Sequence, residues 1–280
     1  MRVLSKIGLS ILSFTAIVVI INSCANNPYS KTNKEYTKQA KAFSKKNLNP
    51  VPPPMVLDSI VTPRYAIGTT NFDLRRPNFV IIHHTAQNSC EQTLKTFTLK
   101  KTQVSAHYVI CKDGTVHHML NDYLRAWQAG ASKWGNFTDI NSSSIGIELD
   151  NNGYEPFAQP QITSLVKLLD TLKRKYSIPT PNFIGHADVA PGRKVDPNKW
   201  FPWQMLAQRG FGMWYDTTGI AIPPNFNSIQ ALRIIGYNIK DSALAIQSFK
   251  LHFVSQDTTR MKILTDADRK ILFDLSKKYE

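Results

Sequence analysis

The run from Asn78 to His83 constrains the fold of this 280-residue chain more than any other segment. It is short, apolar and rich in β-branched residues, which is typical of a central strand buried inside a sheet. From about residue 56 onwards, strand-like and helix-like runs alternate along the chain. The sequence therefore predicts an α/β domain, with a mixed central β-sheet flanked by helices, that ends near residue 212.

The predicted elements follow from local periodicity and turn signals. Lys112-Asp113-Gly114 is a hairpin turn signal between two strand-like runs, and apolar residues at helical spacing from Ile162 to Leu172 indicate an amphipathic helix. The predicted helices are Cys90–Leu99, Pro160–Tyr176 and Trp200–Gln208, and the predicted strands are Asn78–His83, Val104–Cys111, Thr115–Leu120, Ser144–Leu149 and one that begins at Phe183.

After residue 212 the pattern changes to helices alone. Three helix-like runs follow, and Gly236 is placed to end the first of them. These runs are Ile229–Tyr237, Ser242–His252 and Thr265–Tyr279. We expect a catalytic domain over residues 56–212 and a small C-terminal three-helix domain over residues 215–280.

The N-terminus has the composition of a bacterial lipoprotein signal peptide over residues 1–23. Arg2 and Lys6 precede an apolar run from Ile7 to Ile21 that is short for a membrane-spanning helix, and a lipobox-like end at Cys24 follows it. The pattern predicts cleavage before Cys24 and lipidation there, with an uncleaved anchor as the alternative. Residues 24–55 are polar, rich in lysine and end near three prolines, and they predict a flexible tether.

The formal net charge of +14 does not indicate a nucleic-acid partner. Residues 1–55 contain eight Lys or Arg and one acidic residue, and the remaining excess is spread thinly. Anionic envelope polymers and membrane surfaces fit this distribution better. Besides Cys24, the chain has two cysteines, Cys90 and Cys111. In an exported protein they could form a disulfide or stay as two buried thiols.

Polar side chains that could carry chemistry lie where predicted strands end. If His83, His186 and Asp196 act together as ligands, two imidazoles and one carboxylate would make a hydrolytic zinc site with one position open for water. Glu148 follows β-branched apolar residues, so we expect a partly buried base with a raised pKa. Lys194 supplies a cation for a developing oxyanion.

Spacing alone leaves other interpretations of these residues open. A histidine at a strand end is commonly a structural residue, Glu148 could pair with a surface lysine, and a Lys194/Asp196 loop could be solvated. The remaining histidines are rival ligands, namely His84, His107, His117 and His118.

Five ordered motifs resemble the zinc N-acetylmuramoyl-L-alanine amidases of the amidase type 2 family, which is related to the peptidoglycan recognition proteins. The motifs are Ile81–Ala86, Ser105–Tyr108, Ala126–Gly130, Ser144–Glu148 and Gly185–Pro197. The resemblance spans about residues 60–210, and the C-terminal helices resemble a peptidoglycan-binding domain. The whole layout resembles the outer-membrane lipoprotein amidases of Gram-negative bacteria.

This resemblance implies a zinc ion bound by His83, His186 and Asp196, with Glu148 as base and Lys194 as oxyanion stabiliser. It implies hydrolysis of the lactyl–L-alanine amide of peptidoglycan or muropeptides, in cell-wall turnover or recycling. We expect a monomer that is lipid-anchored in the outer membrane and faces the periplasm. The alternative is a non-catalytic peptidoglycan-binding lipoprotein. Retention of Asp196 argues against it, because non-catalytic relatives usually lose a ligand.

Two residues depart from the family pattern. Ala106 stands where some relatives have a tyrosine, so Glu148 must carry the proton transfer. Gln128 stands where the family commonly has a histidine, and we expect this change to leave the zinc site untouched and to affect a substrate contact. Trp127 and Trp134 either line the cleft or fill the core.

Overall fold

The computed structural model describes residues 27–47, 76–254 and 262–280. The predicted signal peptide and Cys24 lie outside the described residues. The strands are β1 Phe79–His84, β2 Tyr108–Ile110, β3 Val116–His118, β4 Ser144–Leu149 and β5 Phe183–Gly185. The helices are α1 Ser30–Asn47, α2 Cys90–Thr98, α3 Gln159–Tyr176, α4 His186–Val189, α5 Trp203–Gln208, α6 Ser228–Ile235, α7 Ser242–Phe253 and α8 Asp266–Tyr279.

Helix α1 corrects the prediction of an irregular tether over residues 24–55. Its sequence contains neither Gly nor Pro, and six of its 18 residues are Lys, which favours the helix. Its side chains are mostly exposed, so the sequence has no apolar periodicity from which this helix could be predicted. Most of the remaining predicted tether lies outside the described residues.

Among the residues that the structure describes, no helix is long and apolar enough to span a membrane.

The sheet has five strands in the order β3-β2-β4-β1-β5. Neighbouring strands run parallel except β3, which pairs antiparallel with β2. Strand β1 lies between β4 and β5, and all six of its residues are buried. The predictions of a mixed sheet and of a buried strand after Asn78 are therefore confirmed.

Side chains of β1 alternate between two hydrophobic clusters. Val80 and Ile82 belong to the cluster that includes α3 and α5, whereas Phe79 and Ile81 belong to the cluster that includes α6, α7 and α8. Helices therefore cover both faces of the sheet, as a largely parallel sheet requires. Residues 73–280 form one compact unit, in which the C-terminal helices are a layer over the sheet.

The helix ends follow signals that are visible in the sequence. Ser89 caps α2 by accepting a hydrogen bond of 3.1 Å from the Gln92 amide. Thr265 and Asp268 form a capping box at the start of α8. Gly236 ends α6 with a φ of 131°, as its position predicted.

Cys90 and Cys111 form a disulfide, which decides between the two alternatives left by the sequence. We expect the double variant Cys90→Ser/Cys111→Ser to lose about 3 kcal/mol of unfolding free energy, because the cross-link restricts the unfolded chain. The two cysteines are separated by 21 positions. Urea unfolding measures the change, and reduction of the wild-type protein should give a similar loss. A double variant as stable as the oxidised protein would contradict this expectation.

Candidate metal centre

Three neighbouring strands bring the predicted site residues to one edge of the sheet. Strands β4, β1 and β5 are adjacent and parallel, so their carboxyl ends share that edge. His83 is paired in register with Glu148, and His186 follows β5 directly as the first residue of α4. His83 follows Phe79 and Ile81 at the two-residue period of a strand, so it faces the side of the sheet that the C-terminal helices cover.

His83, His186 and Asp196 converge on one buried spot. Asp196 Oδ2 lies 2.9 Å from His83 Nδ1 and 3.0 Å from His186 Nδ1. The two imidazole rings meet edge to face with their centroids 4.4 Å apart, and all three side chains are buried. One donor atom from each residue lies within 4.8 Å of the others. Two imidazole nitrogens and a carboxylate oxygen match the ligand set of a catalytic zinc site.

An oxygen acceptor holds the outer nitrogen of each imidazole. His186 Nε2 lies 3.1 Å from the carbonyl oxygen of Ala129, and His83 Nε2 contacts Oε1 of Gln128. A neutral imidazole that donates from Nε2 presents the lone pair of Nδ1 on its other side. In both histidines that side faces Asp196, so the outer partners set the tautomer that a metal ligand needs.

The charges at this centre favour a cation. Burial lowers the pKa of His186 to about 4, so this imidazole is neutral at pH 7. Burial opposes the ionisation of Asp196, but hydrogen bonds with both histidines hold the pKa of this carboxyl well below its usual range. Burial also opposes the protonation of His83, but the charges of Glu148 and Asp196 outweigh it and raise the His83 pKa. Asp196 therefore stays ionised and places negative charge where a divalent cation would be held.

Glu148 lies beside His83 on the neighbouring strand, and the charge of Lys194 acts on it. Glu148 is half-buried, and its Oε2 has no hydrogen-bond partner in the part of the chain that the structure describes. Burial raises the Glu148 pKa to about 7, while the charges of His83 and Lys194 oppose this shift. The expectation of a partly buried Glu148 with a raised pKa is confirmed. An available carboxylate beside a cation suits proton transfer and oxyanion stabilisation.

Other histidines have structural partners. His107 Nε2 donates to the carbonyl oxygen of Leu124 at 2.9 Å, and its Nδ1 accepts from the amide of Gly146 at 3.1 Å. His117 and His118 lie on the edge strand β3, which strand β2 separates from β4 and β1. These three residues do not join the cluster of His83, His186 and Asp196.

His84 is buried at the end of β1, outside the group of converging ligands. Its ring packs so closely against Gly153 that a Cβ at that glycine would lie 3.0 Å from His84 Nε2. Burial lowers the pKa of His84, so its imidazole is neutral at pH 7.

Gln128 contacts the metal centre, so the expectation that this departure leaves the site untouched is wrong. Its Oε1 accepts from His83 Nε2, and its Nε2 donates to Ser144 Oγ at 2.7 Å. A Cβ at Gly146 would lie 2.7 Å from the Gln128 side chain, so only glycine admits this close approach. Sequence reasoning missed the contact because it joins a loop to two strands that are remote in the chain.

We expect Gln128→Leu to weaken zinc binding by about 10- to 100-fold, because it removes the outer partner of His83. Competition with a chromophoric chelator measures the affinity. Trp127→Leu is the matched control, since it changes the neighbouring side chain without touching the network, and it should leave zinc affinity unchanged. Equal affinities of the wild-type protein and Gln128→Leu would contradict the orienting role of Gln128.

The two tryptophans left open by the sequence lie in different environments. Trp134 is buried, and its ring meets that of Tyr237 edge to face at a centroid distance of 4.9 Å. Trp127 is 54% exposed and directly precedes Gln128. Trp134 therefore fills the core, and Trp127 is available to solvent beside the metal centre.

Comparison with known proteins points to one family. The family described as N-acetylmuramoyl-L-alanine amidase matches residues 73–199. The N-acetylmuramoyl-L-alanine amidase AmiD of Escherichia coli K12 is 33% identical over 210 residues, which cover 64% of this chain and 75% of AmiD.

Two solved structures share the fold over most of their length. One is the E. coli AmiD complex with anhydro-N-acetylmuramic acid-L-Ala-D-γ-Glu-L-Lys, at a TM-score of 0.66 and 30% identity, covering 77% of this chain and 96% of that chain. The other is AMPDH3 of Pseudomonas aeruginosa, at a TM-score of 0.67 and 26% identity, covering 80% of this chain and 99% of that chain.

Proposed function

Because this chain belongs to the family of N-acetylmuramoyl-L-alanine amidases, we propose that it is a zinc hydrolase of the lactyl–L-alanine amide of muropeptides or peptidoglycan. His83, His186 and Asp196 would hold the zinc ion. The observation that carries this proposal is the convergence of their donor atoms beside Glu148.

The chain's own residues account for the proton transfer and for the charge that develops on the substrate. Bound zinc supplies a Lewis acid that polarises the amide and activates water at neutral pH. Glu148 accepts the proton of the attacking water and passes it to the nitrogen of L-alanine as the carbon–nitrogen bond breaks. The Lys194 ammonium stabilises the negative charge on the carbonyl oxygen. The products are the lactyl carboxylate and a stem peptide with a free amino terminus.

The most informative experiment compares two substrates side by side. Purified protein is incubated with an anhydro-muropeptide and with intact sacculus, and the released stem peptide is identified by mass spectrometry. We expect about one zinc per chain and release of free stem peptide, which a chelator abolishes and added zinc restores. A zinc-free protein that binds muropeptides without cutting them would favour the non-catalytic alternative.

We also propose that the chain is a lipoprotein anchored through Cys24 in the outer membrane and facing the periplasm. The basic start, the short apolar run and the cysteine that follows it support this proposal. Radiolabelled palmitate should be incorporated by the wild-type chain and not by Cys24→Ala. Protease added to intact cells should leave the protein uncut, whereas digestion would place it on the outer surface.

A further inference from the structure

Side chains from the C-terminal helices hold Asp188, which lies two residues after the metal ligand His186. The Asp188 carboxylate is only 1% exposed. Its Oδ2 accepts from His252 Nδ1 at 2.7 Å, and its Oδ1 accepts from the Tyr237 hydroxyl at 2.8 Å. His252 lies in α7, and Tyr237 follows α6. A buried carboxylate beside the metal centre therefore depends on hydrogen-bond donors from another layer of the molecule.

The same carboxylate closes the backbone turn that carries His186. Asp188 Oδ2 also accepts from the amide of Gly185 at 2.7 Å, so it caps α4 at the residue before the ligand. The amide of Ala187 donates to the carbonyl oxygen of Asp196 at 2.8 Å, which ties this turn to the segment of a second ligand. The conformation around Asp188 therefore bears on the placement of both His186 and Asp196.

Packing around this turn leaves little room for adjustment. A Cβ at Gly185 would lie 3.0 Å from Pro197 and 3.1 Å from the Trp203 ring. The Trp203 ring stacks on the His252 ring at a centroid distance of 3.9 Å. His252 thus contacts the Asp188 carboxylate and the stacked indole at once. Removing its imidazole would leave a void and a buried carboxylate with one donor fewer.

We propose that His252 and Tyr237 are positioning residues for the metal centre. Through Asp188 they set the turn that aims the His186 imidazole, so the C-terminal helices complete the active site in addition to any contact with the wall. This inference rests on the proposed function, because it takes His83, His186 and Asp196 as the zinc ligands. Groups that hydrogen-bond a metal ligand directly commonly change metal affinity by about 10- to 100-fold, and His252 and Tyr237 act one step further out through Asp188, so we expect an effect at the lower end of that range.

The test compares His252→Leu with Lys250→Met in the full chain. Lys250 lies in the same helix as His252, but its partners lie outside the segment that carries the metal ligands. It pairs with Asp268 at 2.8 Å and donates to the carbonyl oxygen of Ile263. Both substitutions deprive a buried carboxylate of a donor within the same helices, but only His252→Leu does so at the metal segment. Lys250→Met therefore controls for a general loss of stability.

Two readouts report on the metal centre without using activity. Zinc affinity is measured by chelator competition, and ligand geometry by the visible absorption spectrum of the Co²⁺-substituted protein. We expect His252→Leu to lower zinc affinity by about 10-fold, the lower end of the range for direct partners of a ligand, and to alter the Co²⁺ spectrum. Lys250→Met should lower the melting temperature but leave both readouts unchanged. An unchanged affinity and spectrum in His252→Leu, or equal changes in the two variants, would overturn the proposal.

Two further measurements keep the proposal testable. If His252→Leu does not fold, two milder variants replace it. Tyr237→Phe removes a single hydroxyl and should alter the Co²⁺ spectrum. His252→Gln keeps an N–H donor to Asp188 and should preserve the spectrum. If the wild-type protein binds no zinc, the proposed function fails, and hydrogen exchange of the metal-free protein still tests the positioning. Amides of residues 185–189 should then exchange faster in Tyr237→Phe than in Lys250→Met, and equal rates would refute the role of Asp188 and its donors.

Discussion

Replacement of Glu148 by glutamine is expected to lower kcat for release of the stem peptide by about 10²- to 10⁴-fold. Glutamine keeps the shape of the side chain, but its amide cannot accept the proton of the attacking water. The Glu148 carboxylate is half-buried, and Oε2 has no hydrogen-bond partner among the described residues, so it is available for this transfer. Steady-state hydrolysis of an anhydro-muropeptide gives kcat and KM.

Zinc content and melting temperature should stay near the wild-type values in Glu148→Gln, because this carboxylate is not among the three converging ligands. Glu155→Gln makes the same chemical change at a carboxylate that pairs with Lys112 at 2.7 Å, and it should leave kcat unchanged. Wild-type activity in Glu148→Gln would remove Glu148 from the mechanism and leave the zinc ligands as they are.

The second large effect is expected from Asp196→Ala, which should lose both zinc binding and activity. Asp196 Oδ2 faces the Nδ1 atoms of His83 and His186 at 2.9 and 3.0 Å, so its removal leaves two neutral ligands without the anionic one. Even an outer partner of a metal ligand commonly contributes 10- to 100-fold in affinity, so loss of a direct ligand should cost more than about 100-fold. Chelator competition and elemental analysis of the purified variant measure this loss.

Lys194→Met provides the comparison that separates the metal from the chemistry. Lys194 lies two residues before Asp196, and its charge acts on Glu148. We expect this variant to retain zinc and to lose rate, because only stabilisation of the oxyanion is removed. For the Asp196→Ala variant, in contrast, a zinc content of one per chain at wild-type affinity would show that Asp196 is not a ligand.

The C-terminal helices call for a different kind of experiment. They cover Phe79 and Ile81 on one face of the central strand, and they supply the donors to Asp188. Deleting residues 215–280 would uncover an apolar face of the sheet and would test stability more than wall binding. Substitutions of exposed side chains on these helices, in the intact chain, are the better test of peptidoglycan binding.

Much of this architecture was predictable because its causes are local. A strand buried on both faces shows as an apolar run, and α3 shows as apolar residues at helical spacing. Caps such as Thr265 and Gly236 act on their immediate neighbours. Some predicted ends differ from the observed ones. Helix α5 begins at Trp203 and not at residue 200, because Pro202 precedes it as the cap. Helix α1 was missed because its side chains are mostly exposed, so it lacks the apolar periodicity by which the other helices were predicted.

The sequence by itself determined the order of the elements and, through the family motifs, the residue types that could bind zinc and move a proton. Only the tertiary structure decided what surrounds them. Gln128 contacts His83 across 45 positions, and His252 contacts Asp188 across 64. Such contacts depend on which faces pack together and how closely, and no periodicity within one segment records that. The ligands could therefore be identified from short motifs, whereas the side chains that orient them come into contact only when the layers of the fold pack together.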